Sequence, residues 1–421
     1  MRIACAGGGP AGLYFSILVK LRDPECDITV YERSKVNSTS GWGVTFGRSL
    51  LAELSRQDRE TADRLHAAAF CWRDQVINVR GKQVIAHSED AYNITRRRLI
   101  EILTDRAVNL GVRIEYGTEV LSAAQLPDAD LIVAADGVNS KLRNATPGFE
   151  TKISSGANKY IWLGSDKVFT EFEFLFIETE HGWVWAHAYG IDTKSSTFIV
   201  ECAERTWTGL GFDVMPIEEA LPALEDLFKE HLAGHSLIGE LADGNTARWL
   251  NFNTISNERW HSGKVVLAGD SAHTAHFAIG MGTTLALQDA ICLAGNVRQH
   301  ADLEFALETY EQVRKAEFRP TVTEAHFSAS WFENLDHYID FSPRKFGVLL
   351  FARRSPLVAV LPPSVAYVLR LAAEKFTVLD AARAFVAPAI KAIFKRHTPA
   401  HPASARQAGD DGAASLTSSR S

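Results

Sequence analysis

Two stretches of this chain combine glycines, acids and imidazoles at spacings that can do chemistry. GDSAHTAHFAIGMGTTLALQDA (residues 269–290) sets a Gly-Asp pair ahead of His273 and His276 and a glycine cluster behind them. Far upstream, Gly7-Gly8-Gly9-Pro10-Ala11-Gly12 fits G-x-G-x-x-G. Histidines at i, i+3 could ligate a metal, but no third ligand is evident nearby and a metal leaves the glycines unexplained. No metal site is expected. A cofactor held from both ends of the chain accounts for both stretches.

The upstream turn sits where a dinucleotide needs it. Residues 2–6 read as a buried strand, 10–22 as a helix and 27–32 as a second strand ending at Glu32. Gly7 permits the tight turn, Gly9 lets the backbone approach a pyrophosphate, and Gly12 lets helix and strand pack closely. The helix N-terminus favours phosphate. Glu32, with Arg33 beside it, is placed to accept a hydrogen bond from a ribose hydroxyl. Two further strands end in an acid: LIVAA before Asp136-Gly137, and KVVLA before Gly269-Asp270. Carboxyl ends of strands are where a doubly wound sheet binds its ligand.

GxGxxG, D-G-x-x-S-x-x-R (Asp136 to Arg143) and G-D-x-A-H together resemble the FAD-dependent aromatic hydroxylases of the para-hydroxybenzoate hydroxylase type, over about residues 1–340. The resemblance implies an α/β fold: a Rossmann-like FAD-binding domain interleaved with an antiparallel-sheet substrate domain, followed by a helical C-terminal extension. It implies non-covalent FAD and NADH or NADPH as a transient co-substrate. Gly7, Gly9, Gly12, Glu32 and Arg33 would hold the ADP half. Asp136, Gly137 and Arg143 would serve the pyrophosphate region, and Asp270 the ribityl chain. Gly43 lies in the loop expected over the flavin. Arg96 would contact FAD, with Arg97 an equally good register. Gly280, Gly282 and Thr283 would open a helix whose positive end faces the anionic reduced flavin. His273 belongs to the motif. His276-Phe277 stands where most relatives have Pro-Pro, and Thr284 replaces their Asn.

GANKYIWLG, GWVWAHAY, SSTFIVEC, SASWFENL, the later RSP and GWGVTF (41–46) narrow the resemblance. They are similar to the branch containing salicylyl-CoA 5-hydroxylase, the monooxygenase half of 2-aminobenzoyl-CoA monooxygenase/reductase, and the violacein-pathway tryptophan hydroxylase. In such enzymes NAD(P)H reduces the FAD, and O2 gives a C4a-hydroperoxide that an electron-rich ring attacks. The implied substrate is a small aromatic, as a CoA or carrier-protein thioester or as an indole. Trp183, Trp185, His187 and Tyr189 alternate along one strand and so share a face. They are candidates for the wall around a flat ring, with Phe277, although such stripes are also ordinary core. His187 and His276 are the two candidate bases. Two rivals remain. A flavin-dependent halogenase shares W-x-W, but here Ala186-His187 follows. A non-catalytic binding protein on the FAD fold would not need intact Asp136 and Asp270 motifs.

The elements that must position these residues follow from pattern. Helices are expected over 96–110, 217–232, 283–298 and 303–318, and strands over 112–116, 130–135 and 264–268. Alternating aromatic-rich segments from about 159 to 202 predict antiparallel sheet. The expected division is FAD-binding domain 1–155 and 246–320, sheet domain 156–245, helical region 321–396 with an auxiliary helix over 376–396, and disordered tail 397–421. Net charge is −7, which argues against nucleic acid. The most apolar run, 356–369, is broken by Pro362-Pro363, so no membrane span is expected. Five cysteines without metal-type spacing, and no apolar leader, point to reduced thiols in the cytoplasm. A monomer or homodimer is expected. Both cofactor grips are hydrogen-bonding motifs, so acid precipitation should release the yellow colour; flavin retained in the pellet contradicts this.

Overall fold

The computed structural model describes residues 1–36, 41–241 and 244–375. A six-stranded sheet runs in the order His261–Ser262, Val265–Leu267, Leu131–Ala134, Arg2–Ala6, Asp27–Glu32, Arg113–Tyr116. All neighbours are parallel except the first pair. The central strands are buried along their length (LIVA, VVL), as a sheet covered on both faces requires. Helix Pro10–Arg22 begins directly after Gly9, with proline at its first position where the missing N–H costs nothing. Helix Arg96–Asn109 is capped by Thr95, whose Oγ1 accepts from Arg98 N at 3.2 Å.

The second sheet has nine strands and is wider than the alternation at 159–202 predicts. Thr151–Ser165, Ser196–Cys202, Gly182–Gly190 and Phe172–Thr179 lie side by side antiparallel. Phe70–Val79 then joins Phe172–Thr179 in parallel, and Lys82–Thr95 and Gly43–Gly47 extend the edge. Leu250–Asn257 pairs with Thr151–Ser165. The two faces of Gly182–Gly190 separate as the period of two dictates. Val184, Ala186 and Ala188 pack with Phe198, Leu224 and Phe228, while Trp183 and Trp185 pack with Phe332 and Phe346.

Two helices differ from their expected spans. The segment 217–232 breaks at Phe228 into Ile217–Leu227 and Lys229–Leu232. The helix expected over 303–318 continues to Glu333 as one 31-residue element through Pro320. A proline removes one ladder bond and crowds the previous turn, but burial of Ala325, Ser328, Trp331 and Phe332 beyond it outweighs that loss. Helices Pro343–Phe351, Pro356–Val360 and Pro363–Lys375 follow. Met1–Tyr367 forms one unit; of a second, Val368–Ser421, the helical residues 368–375 are described. The auxiliary helix expected over 376–396 and the tail 397–421 lie outside the described residues. Among the described residues no helix is long and apolar enough to cross a membrane.

One buried carboxylate ties the Rossmann half together. Asp289, in helix Gly282–Gln299, accepts from Gly269 N at 2.8 Å, from His273 Nε2 at 2.8 Å and from Arg314 Nε at 2.8 Å. Burial pushes its pKa up, but His273 and Arg314 outweigh this and hold it below the usual carboxylate range. Asp289→Ala strands a buried guanidinium and should cost about 3–5 kcal/mol in denaturant unfolding. A loss under about 1 kcal/mol would place it with surface pairs. Because the native pKa is depressed, the contribution is complete above the unfolded value of about 3.9 and is lost as pH falls through the native one.

Candidate active site

The carboxyl ends of the parallel strands open into a cleft of about 380 Å³ lined by Gly7, Gly9, Glu32, Arg96, Asp136 and Gly137 among others. The glycines differ in what demands them. At Gly7 (φ +107) a Cβ would sit 2.2 Å from the Ala135 carbonyl oxygen, and at Gly12 one would sit 2.2 Å from that of Gly7. Gly9 has φ −80 and nothing within 4 Å of its Cβ position. Protein packing therefore requires Gly7 and Gly12, whereas Gly9 leaves open space at a helix N-terminus, which fits a pyrophosphate.

The acids around the cleft have defined partners. Glu32 accepts from Gly8 N and Ser34 N, both at 2.7 Å. Arg33 is exposed and lies 3.8 Å from Glu119. Asp136 accepts from Lys141 N at 2.7 Å and from the Ser140 hydroxyl, capping helix Lys141–Ala145. Arg143 is buried and donates to Val138 O (2.9 Å) and Ser271 O (3.1 Å), bracing the Asp136 loop against the Asp270 loop. Arg96 and Arg97 both line the cleft, but Arg97 is exposed, whereas Arg96 is half-buried and acts electrostatically on Asp270. Asp270 is reached by solvent, yet desolvation raises its pKa against the pull of Arg96 and His273.

The Gly280 turn and strand Gly43–Gly47 are built against each other. Gly280 (φ +67) leaves room for Thr45, whose Oγ1 donates to Gly280 O at 3.1 Å. Gly43 donates to Thr197 Oγ1 at 3.0 Å and accepts from the Tyr189 hydroxyl at 3.5 Å, tying this edge strand to the middle strands of the same sheet. Arg353 donates to Ala278 O (2.8 Å) and Arg354 to Ile279 O (3.0 Å), so two guanidinium groups hold the turn Phe277–Ile279 from behind. Gly282 and Thr283 open helix Gly282–Gln299 beyond it.

His187, Trp185, Tyr189 and Phe277 come together in one aromatic cluster. His187 lies 5.8 Å from Phe277, 5.2 Å from Phe174 and 5.2 Å from Phe332, centroid to centroid. Trp185 stacks on Phe332 at 5.7 Å and Tyr189 on Phe172 at 5.1 Å. Trp183 shares the face but sits at its far end under Arg80, 5.4 Å away. His276 packs on Phe252 at 4.8 Å, and its Nδ1 accepts from Ala278 N at 3.3 Å. Burial pushes His276 down to about 4, with Glu201 opposing.

Sequence reasoning missed Glu201. It is 1% exposed and sits on the same sheet face, opposite both Trp185 and Tyr160 in register. Its carboxylate accepts from Asn158 Nδ2 at 2.8 Å and Trp185 Nε1 at 3.2 Å. The available signal was one acid inside the otherwise apolar alternation of SSTFIVEC. Phe332, inside WFENL, and Arg353, the residue before RSP, were also missed.

The FAD binding domain family matches residues 124–325. The chain is 33% identical to a salicyloyl-CoA 5-hydroxylase of Streptomyces sp, over 88% of this chain and 73% of that protein. It is 34% identical to the 3-hydroxy-4-methyl-anthranilyl-[aryl-carrier protein] 5-monooxygenase of Streptosporangium sibiricum, covering 80% of this chain and 90% of that one. It is 30% identical to the protodeoxyviolaceinate monooxygenase of Chromobacterium violaceum, covering 89% and 100%. The chain belongs to the FAD-dependent aromatic monooxygenases. As expected from its motifs, the monooxygenase is a flavoenzyme, and NAD(P)H is the co-substrate typical of its family. The glycine geometry supplies a clean test. Gly9→Ala should fold normally and weaken FAD binding to apoprotein by about tenfold or more, or about 1.4 kcal/mol. Gly12→Ala should destabilise the fold itself. Unchanged FAD affinity in Gly9→Ala would contradict the cleft assignment.

Proposed function

We propose that this monooxygenase hydroxylates an aromatic ring bearing a hydroxyl or amino donor and carried as a CoA or carrier-protein thioester. The observation that carries the reading is that two relatives at 33% and 34% identity are named for aryl thioester substrates, one on CoA and one on a carrier protein. The aromatic face of the second sheet supports it, because a flat ring gains dispersion and quadrupole contacts among Tyr160, Phe277 and His187.

In this reading residues 1–155 and 246–320 hold the cofactor and the sheet 156–245 carries the substrate wall. Gly7, Gly9, Gly12, Glu32, Arg33, Arg96, Asp136, Gly137 and Asp270 would hold FAD by hydrogen bonds and charge. Gly43, Gly280, Gly282 and Thr283 would flank its ring system, and Arg143 would brace the two acid loops. When bound, FAD supplies the chemistry that activates O2. The chain itself binds and orients the ring, excludes water with Phe277 and Phe332, and offers His187 or His276 as proton acceptor. Five free thiols fit work in the cytoplasm.

A second reading is an indole hydroxylase. It is favoured by the 30% identity to the protodeoxyviolaceinate monooxygenase over that protein's whole length. The deciding experiment measures NADH and NADPH oxidation, with product mass, across salicyloyl-CoA, anthraniloyl-CoA, the free acids and tryptophan. A thioester should be turned over at least tenfold faster than its free acid, a difference of about 1.4 kcal/mol. Faster turnover of tryptophan or a free acid than of any thioester would overturn the proposal.

A further inference from the structure

Glu201 is a buried carboxylate whose hydrogen-bond donors are both neutral, the Asn158 amide and the Trp185 indole. Leaving a carboxylate in such surroundings is costly unless a positive charge arises beside it. Lys159, on the neighbouring strand, is turned elsewhere: its Nζ donates to Asn251 and lies over Trp207. Closest to the free side of Glu201 is an imidazole. His187 Nε2 stands 3.7 Å from Glu201 Oε2, is buried, and has no hydrogen-bond partner. That separation exceeds a hydrogen bond, as is common in catalytic pairs that tighten only when substrate is present.

The other charged and titratable groups around His187 come from each element packed on it. Glu201 belongs to the strand beside it and Tyr160 to the next strand out, His276 to the turn ahead of Phe277, and Arg353 to the segment after helix Pro343–Phe351. Arg353 lies over Phe174 and Phe332, the rings that also flank His187. His276 is a poorer base on geometry alone, because its Nδ1 lone pair already accepts from Ala278 N.

We propose that Glu201 and His187 form a proton-accepting pair, with Glu201 positioning and charging the imidazole that takes the proton from a hydroxyl on the substrate ring. This rests on the aryl thioester reading and deepens it to phenolic substrates. With its own proton on Nε2, toward Glu201, His187 presents the lone pair of Nδ1. The substrate O–H bond breaks and an N–H bond forms. Phenolate and imidazolium result, and the imidazolium charge is met by the Glu201 carboxylate. No proton enters or leaves the site in this step. When the hydroxylated ring regains aromaticity, its carbon loses a proton to solvent and the ring oxygen takes one back from His187. Burial pushes His187 down, with Glu201 opposing. Burial also pushes Glu201 up, but His187 first, with His276 and Asn158, outweighs it and sets its pKa below the usual carboxylate range.

The test uses oxidised holoenzyme without reductant, so that nothing turns over, and follows the phenolate absorbance of a bound 2-hydroxybenzoyl thioester. Because the proton stays within the complex, the wild-type phenolate band should be constant between pH 6 and 8, whereas the free thioester titrates with bulk pH. Glu201→Gln keeps a hydrogen-bond acceptor but removes the charge, and should lower the bound phenolate-to-phenol ratio at least tenfold with FAD content unchanged. His187→Gln should do the same and leaves Glu201 in place should Glu201→Gln fail to fold. Glu201→Asp should restore part of the band. A band unchanged in Glu201→Gln, or in His187→Gln, overturns the pair. A thioester that wild type turns over while showing no phenolate band overturns the pair and leaves the substrate reading standing. A thioester that neither binds nor reacts sinks both.

Discussion

The carboxylate of Asp289 is the interaction on which the cofactor half depends. Its three donors come from the Gly269 backbone, the His273 ring and the Arg314 guanidinium, that is, from the acid loop and from the following long helix. A single buried charge thus fixes where strand Val265–Leu267 ends and where Asp270 begins. The loop after it is strapped to the other sheet as well. Thr274 Oγ1 donates to Asn253 O and accepts from Ile255 N, each at 2.8 Å, and Asn257 Nδ2 donates to Ser271 O and Ala272 O. The segment carrying Asp270, His276 and Phe277 is therefore held by the six-stranded sheet's side at its start and by the nine-stranded sheet along its length. One short stretch is thus fixed to both sheets.

Charge around the aromatic face of the second sheet is arranged differently. At Asp289 the carboxylate is matched by a cation, and the result is rigid. At Glu201 it is matched by neutral donors only. Arg353, pushed down to about 9 by burial beside Arg354, spends its donors on Ser328 Oγ, Leu350 O and Ala278 O. This aromatic cluster thus keeps an anion and a cation apart with rings between them. Such an arrangement costs stability and leaves both fields directed at whatever lies among Phe174, His187, Phe277 and Phe332.

Much of the cofactor half was legible because its signals are local. G-x-G-x-x-G, its strand and helix, and Glu32 lie within one short unit, and the steric reasons for Gly7 and Gly12 are readable from spacing. The alternation at 182–190 correctly put Trp183, Trp185, His187 and Tyr189 on one face. What escaped reading depends on partners distant in the chain. Glu201 meets Asn158 and Trp185 only through sheet register, and Asp289 meets Arg314 only when two helices pack. Strands Phe70–Val79 and Lys82–Thr95 carry mixed polar and apolar residues, because one edge of that sheet is solvated, so their period was weak. Helix Leu303–Glu333 runs past its expected end at 318 because Ala325, Ser328, Trp331 and Phe332 beyond Pro320 enter a core built from distant segments, which local pattern does not show.

The most direct measurement is a structure of the protein with FAD and a 2-hydroxybenzoyl thioester bound. The ring should lie against the face formed by Tyr160, Phe277 and His187, with its hydroxyl oxygen within about 3.2 Å of His187 and the thioester arm leading out to solvent. A ring bound away from this wall, or a hydroxyl directed at His276 with His187 left among its phenylalanines, would contradict it.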